Sequence, residues 1–124
     1  MSYPFIISVV DDDESVRIAL DSLLRSNGYT VRVFATAEEF LSTNGPLITS
    51  CLISDVQMPG LSGIQMYEEL SARGIHLPVI FISGYLDSLP QVSATAVKPV
   101  AFFPKPFPCG ELIACIEDIL NRSA

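Results

Sequence analysis

The sequence predicts an α/β fold: a (βα)5 doubly wound, five-stranded parallel sheet in the order 2-1-3-4-5. Three observations carry that expectation. Five short apolar runs, rich in Val, Ile and Phe, alternate with stretches whose apolar residues recur at helical spacing. Gly, Pro and Asn break the chain near the junctions. No internal repeat or linker-like stretch interrupts the 124 residues, a length that suits one domain with one good core. Strict alternation of this kind implies right-handed βαβ units with helices on both faces of the sheet. For five such units the chain reverses direction between strands one and three.

Each element has its own signal. Phe5 to Val10 reads as a buried strand and stops at Asp11-Asp12-Asp13-Glu14. Val16, Ala19, Leu20, Leu23 and Leu24 then mark a helix, which Asp13 or Asp12 can cap and Asn27-Gly28 ends. Tyr29 to Phe34 alternates apolar with polar residues, as an outer strand does. Thr36 and Glu39 form the pattern of a capping box for a short helix, which Asn44-Gly45-Pro46 should end. Cys51 to Ser54 is a central strand closed by Asp55, and Met58-Pro59-Gly60 breaks the backbone after it. Ile64, Tyr67 and Leu70 give the helix of Leu61 to Arg73, closed by Gly74. Pro78 to Ile82 is a fourth buried strand ending in Ser83-Gly84. Tyr85 to Pro99 is the least regular part: Val92, Ala94, Ala96 and Val97 allow a helix that Pro90, Ser93, Thr95 and Pro99 keep short. Val100 to Phe103 is the fifth strand, and Pro104 to Pro108 a proline-locked loop in which a cis Lys105-Pro106 bond is allowed. Leu112, Ile113, Ile116, Ile119 and Leu120 make the last helix amphipathic.

Composition narrows the function. Hydrophobic residues make 49% of the chain and charged residues 17%, so it has a core to bury and is not a disordered segment. A net charge of −7 argues against nucleic-acid binding and suits a domain that takes a cation or meets basic surfaces. No signal-peptide pattern and no bilayer-length apolar stretch is present, which predicts a cytoplasmic domain without membrane contact. Cys51, Cys109 and Cys115 have neither CxxC spacing nor a nearby His, and read as small apolar or surface residues of a reducing compartment.

The polar strand ends converge. Ligands of open parallel sheets bind beyond the carboxyl ends of the strands, at the switch point. Strands one and three end there in Asp11, Asp12 and Asp55. Alone, each is an ordinary helix cap; together, three carboxylates are tolerable around a hard divalent cation, magnesium or manganese, with the Gln57 backbone carbonyl as a further ligand. Strand four ends in the hydroxyl of Ser83, strand five in the ammonium of Lys105. A metal, a hydroxyl and an ammonium around a carboxylate suit a phosphoryl group, with Asp55 as nucleophile forming an acyl phosphate.

Val9 to Arg17, Ile53 to Gly63, Ile82-Ser83-Gly84 and Phe103 to Phe107 together resemble the receiver domain of two-component response regulators, closest in wording to the FixJ-like group. The resemblance runs through the whole chain in order and spacing. It implies the flavodoxin-like fold, residues 1–124 as a single receiver domain, and no output domain in this chain. It implies Asp55 as phosphoacceptor, Asp12 on the metal directly and Asp11 largely through water, and Ser83 and Lys105 as the groups that sense the phosphoryl. Phe102 would be the switch aromatic, and Gln57 and Tyr85, with Gly84 between Ser83 and Tyr85, would tune the phosphoryl lifetime. The partner would be a histidine kinase or histidine phosphotransfer protein. The output would pass through the face of the fourth helix, fifth strand and fifth helix, to an output domain, a downstream protein or a second copy of the chain. Ser88 to Pro99 departs from the family, with Lys98-Pro99 in place of the end of an Ala-rich helix.

Three rivals compete. A magnesium-dependent aspartyl phosphatase would need a second Asp two residues after its nucleophile on strand one, then Gly-Thr, a pattern that Asp11 to Ser15 serves poorly. A pseudo-receiver, acting only as an interaction module, is opposed by the complete set Asp11, Asp12, Asp55, Ser83 and Lys105. An FMN-binding module lacks its phosphate loop after strand one.

Overall fold

Residues 5–84, 101–105 and 107–123 are described by the computed structural model. Five strands pair in parallel, β1 (Ile6–Val10), β2 (Thr30–Phe34), β3 (Cys51–Asp55), β4 (Val79–Ser83) and β5 (Ala101–Pro104), in the order β2-β1-β3-β4-β5. Connecting them are α1 (Glu14–Ser26), α2 (Ala37–Ser42), α3 (Gly45–Ile48) and α4 (Gly63–Ala72), with α5 (Cys109–Ser123) closing the chain. The predicted strand order is therefore the observed one. The irregular stretch of Tyr85 to Pro99 and the Lys105-Pro106 bond lie outside the described residues.

The sheet is apolar on both faces, so each face needs a cover. Ile7, Val9, Ile53, Ile80 and Ile82 meet Leu20 and Leu24 of α1 and Leu112, Ile116, Ile119 and Leu120 of α5. The alternate residues Val10, Leu52, Val79 and Phe81 meet Ala37 and Phe40 of α2 and Ile64, Met66, Tyr67 and Leu70 of α4. The period-two alternation of each strand thus divides one chain between two cores. Among the described residues no helix is long and apolar enough to cross a membrane.

Local signals settle the element ends. Asp13, rather than Asp12, caps α1, accepting from the backbone N–H of Ser15 at 2.9 Å. Thr36 caps α2 as expected, but Glu39 reaches the N–H of Ala35, one residue before the cap. The full capping box belongs to α4: Ser62 accepts from Gln65 N–H at 3.1 Å while the Gln65 side chain accepts from Ser62 N–H at 2.9 Å. Asn44-Gly45-Pro46 does not simply end a helix. It begins the single turn of α3, because Pro46, in the first turn, gives up an N–H that has no intrahelical partner there anyway. Pro104 lies within β5, where an edge strand tolerates the missing donor.

Gly63 is fixed by space. A Cβ there would run into the carbonyl oxygen of Asp55 and stand 2.9 Å from Ser54 Oγ. The first turn of α4 packs directly on the end of β3, and Gly63 N–H donates to the Val56 carbonyl at 3.0 Å. Gly63→Ala should therefore destabilise the domain by about 2–3 kcal/mol, since backbone has to move to admit the methyl. Denaturant unfolding checks this; a midpoint within error of the parent would contradict the packing account.

Candidate functional site

The register of the sheet brings the polar strand ends level. Val10 pairs with Ser54, Asp55 with Ile82 and Ser83 with Pro104, so Asp11, Asp55, Ser83 and Lys105 all fall at or just past the carboxyl edge. Lys105 N–H donates to the Ser83 carbonyl at 2.9 Å, carrying the β4–β5 ladder one residue beyond the strands.

Asp11 is the most firmly held of the acids and is 2% exposed. Its N–H donates to the Phe34 carbonyl at 3.1 Å, and its Oδ1 accepts from Asp13 N–H at 2.8 Å. Asp55 is 8% exposed. Lys105 Nζ lies 3.0 Å from Asp11 Oδ2 and 3.3 Å from Asp55 Oδ2, so one ammonium serves two buried carboxylates. Asp12 is exposed, yet carboxylate oxygens of Asp11, Asp12 and Asp55 all lie within 4.8 Å of one another. Three hard oxygen donors at that spacing form a donor set of the kind magnesium and manganese take. A cavity of about 180 Å³ opens beside them, lined by Asp55, Gln57, Ser83, Gly84 and Lys105.

The charges are not balanced. Burial and then the negative charge of Asp11 push the Asp55 carboxyl above the usual carboxylate range; the Lys105 ion pair and the Gln57 N–H only partly offset them. Burial would lower the Lys105 ammonium, but its hydrogen bond to Asp11 and the charges of Asp11 and Asp55 outweigh it, and its pKa is raised. The Ser15 hydroxyl and N–H hold Asp13 below the carboxylate range, as a helix cap.

Of the residues expected at the site, the structure brings together Asp11, Asp12, Asp55, Gln57, Ser83, Gly84 and Lys105. Phe102 stands apart. It is 36% exposed and stacks on Phe81, ring centroids 5.4 Å apart and planes 22° from parallel. Phe81 in turn meets Tyr67 edge-on at 5.9 Å. Tyr85 lies outside the described residues. Four residues carry no role in the sequence reading. Gly63 lets α4 close on β3, Arg17 donates to the Asp11 carbonyl, and Ser62 with Gln65 caps α4. Only the Ser-x-x-Gln pattern was open to recognition in advance.

Comparison with known proteins shows the family. Residues 7–117 match the model of the response regulator receiver domain family. The chain is 40% identical over 118 residues to the transcriptional regulatory protein FixJ of Azorhizobium caulinodans, covering 95% of this chain and 56% of the relative. It is 43% identical over 117 residues to nodulation protein W of Bradyrhizobium diazoefficiens, covering 94% and 52%. The chain thus spans about half the length of the curated relatives it matches. Among solved structures, the response regulator StyR superposes with a TM-score of 0.86 at 39% identity, over 96% of this chain and 60% of that one. FixJ-N superposes at 0.82 with 33% identity, over 95% and 94%.

The charge imbalance makes two stability predictions of opposite sign. A carboxyl whose folded pKa is raised stabilises the fold below its unfolded pKa, and that contribution is lost as pH rises through the folded value. Ionised Asp55 therefore works against folding at neutral pH, and Asp55→Asn in metal-free buffer should raise Tm by roughly 3–6 °C, with the gain vanishing below pH 4. Lys105→Met leaves two buried carboxylates without their cation and should lower stability by about 2 kcal/mol at pH 7. Calorimetry across pH measures both; a Tm for Asp55→Asn below the parent's would show that the ion pair outweighs the repulsion.

Proposed function

Because the chain belongs to the response regulator receiver domain family, we propose that it is a phosphorylation-dependent switch in which Asp55 accepts a phosphoryl group from a phosphohistidine. The donor is a histidine kinase or a histidine phosphotransfer protein. The observation that carries the reading is the buried Asp55 carboxylate, 3.3 Å from the Lys105 ammonium, on a cavity also lined by Ser83.

The step balances simply. A carboxylate oxygen of Asp55 attacks phosphorus, the P–N bond breaks, and its electron pair returns to the imidazole nitrogen. The product is an acyl phosphate on Asp55. Lys105, kept cationic by its two carboxylates, neutralises charge on the phosphoryl oxygens, and the Ser83 hydroxyl donates to one of them. Asp11, Asp12 and Asp55, with the Gln57 carbonyl, would hold a magnesium or manganese ion, which supplies further charge neutralisation at the same oxygens. Gln57 and Gly84 line the cavity and Tyr85 follows in sequence; the bulk of Gln57 and Tyr85 would meter the water that later hydrolyses the acyl phosphate.

Signalling follows from the new charge. Lys105 turns from Asp55 toward the phosphoryl oxygens, Ser83 follows, and Phe102 leaves its stack on Phe81. That shift reshapes the face of β5 and α5. We propose that this face meets an output domain, a downstream protein or a second copy of the chain in the cytoplasm. Nucleic acid is not contacted directly by a chain of charge −7.

Incubation with acetyl phosphate should label the wild-type chain in a magnesium-dependent manner, read as an 80-dalton mass increase expected for roughly one phosphoryl group. Asp55→Asn should not label. Equal labelling of that variant would remove Asp55 from its role.

A further inference from the structure

The turn that presents Asp11 and Asp12 is gripped from outside by one side chain. Arg17 sits on the second turn of α1, and its Nη1 donates to the backbone carbonyl of Asp11 at 2.7 Å. The contact is partly buried, short and charge-assisted, the strongest ordinary class of hydrogen bond to a carbonyl. Holding that carbonyl fixes the plane of the Asp11–Asp12 peptide. It thereby sets the direction in which the chain leaves β1 and places the Asp12 carboxylate beside Asp11 and Asp55.

We infer that Arg17 is a positioning residue for the cation-binding carboxylates, acting through the Asp11 carbonyl and not through its charge. The inference rests on the cation site proposed above and adds a residue to it. Electrostatics alone predicts the reverse sign. A guanidinium this close to an acidic cluster repels a divalent cation, so removing it should tighten binding. If position matters more, removing it should weaken binding, because groups that orient ligating carboxylates typically contribute about ten- to a hundredfold in metal affinity.

Arg25 provides the control. It lies on the same helix, pairs with Asp21 at 2.7 Å and donates to the Val31 carbonyl, away from the turn. Arg25→Met removes the same unit charge without touching Asp11.

Mn2+ titrations followed by electron paramagnetic resonance, with amide hydrogen exchange at Asp13 in metal-free protein, test the inference. Asp13 N–H donates to Asp11 Oδ1, so its protection reports the order of the turn without any metal. Arg17→Met should bind Mn2+ roughly tenfold more weakly than the parent and exchange Asp13 N–H faster. Arg17→Lys, with the charge but not the planar fork, should lie between them, and Arg25→Met should match the parent. Arg17→Lys carries the test if Arg17→Met melts below the assay temperature. Equal or tighter Mn2+ binding by Arg17→Met, or unchanged Asp13 exchange, overturns the inference. A parent chain that takes up no Mn2+ removes the cation site itself, while faster Asp13 exchange in Arg17→Met would still uphold its grip on the turn.

Discussion

One ammonium between two buried carboxylates sets the terms for the rest of the molecule. Asp11 and Asp55 lie close enough that, at an effective dielectric near 20, their repulsion is on the order of 3 kcal/mol. Lys105 reaches both but cannot neutralise both, and exposed Asp12 adds a third negative charge at the rim. A fold left to maximise its stability would not assemble this group. The domain holds it by spending binding surface elsewhere, in two apolar cores that cover both faces of the sheet.

The parallel sheet is what makes such a concentration of charge feasible. Every strand runs the same way, so all carboxyl ends meet at one edge, and residue-for-residue register brings Asp11, Asp55, Ser83 and Lys105 level. Backbone bonds then lock the edge: Lys105 N–H to the Ser83 carbonyl, Val56 N–H to the Ile82 carbonyl, and Gly63 N–H to the Val56 carbonyl. The side chains that face the cavity are thus mounted on rigid strand ends, and a cation or an added phosphoryl group would change their charge balance without rebuilding the frame.

The aromatic row runs from exposed Phe102 through Phe81 to Tyr67, the last two in the core on the α4 face of the sheet, opposite the face that α5 covers. Phe81 is fully buried, stacks on Phe102 and lies two residues before Ser83 in β4, on the same face of the strand. Tyr67 is buried with no hydrogen-bond partner for its hydroxyl among the described residues, a local cost in an otherwise well-satisfied core. Packing of this kind passes displacement from one ring to the next because close-packed interiors yield little.

Much of this could be read in advance. Apolar runs alternating with amphipathic ones gave the strand count, and the alternation implied the order 2-1-3-4-5. The polar residues closing four of those runs pointed to Asp11, Asp12, Asp55, Ser83 and Lys105, because a strand end is a position that sequence can mark. What sequence did not mark were contacts set by distance across elements. The helical turn after Asn44 depended on Pro46 falling within its first turn, and Phe102 stacks on Phe81. Sequence assigned no role to Gly63, where a Cβ would meet the Asp55 carbonyl, or to Arg17, whose guanidinium donates to the Asp11 carbonyl. The linear chain determined which residues reach the edge of the sheet, since periodicity and chain direction are local properties. Only the folded chain decided which of them touch, because a hydrogen bond or a steric limit exists at ångström separations that spacing along the backbone does not encode.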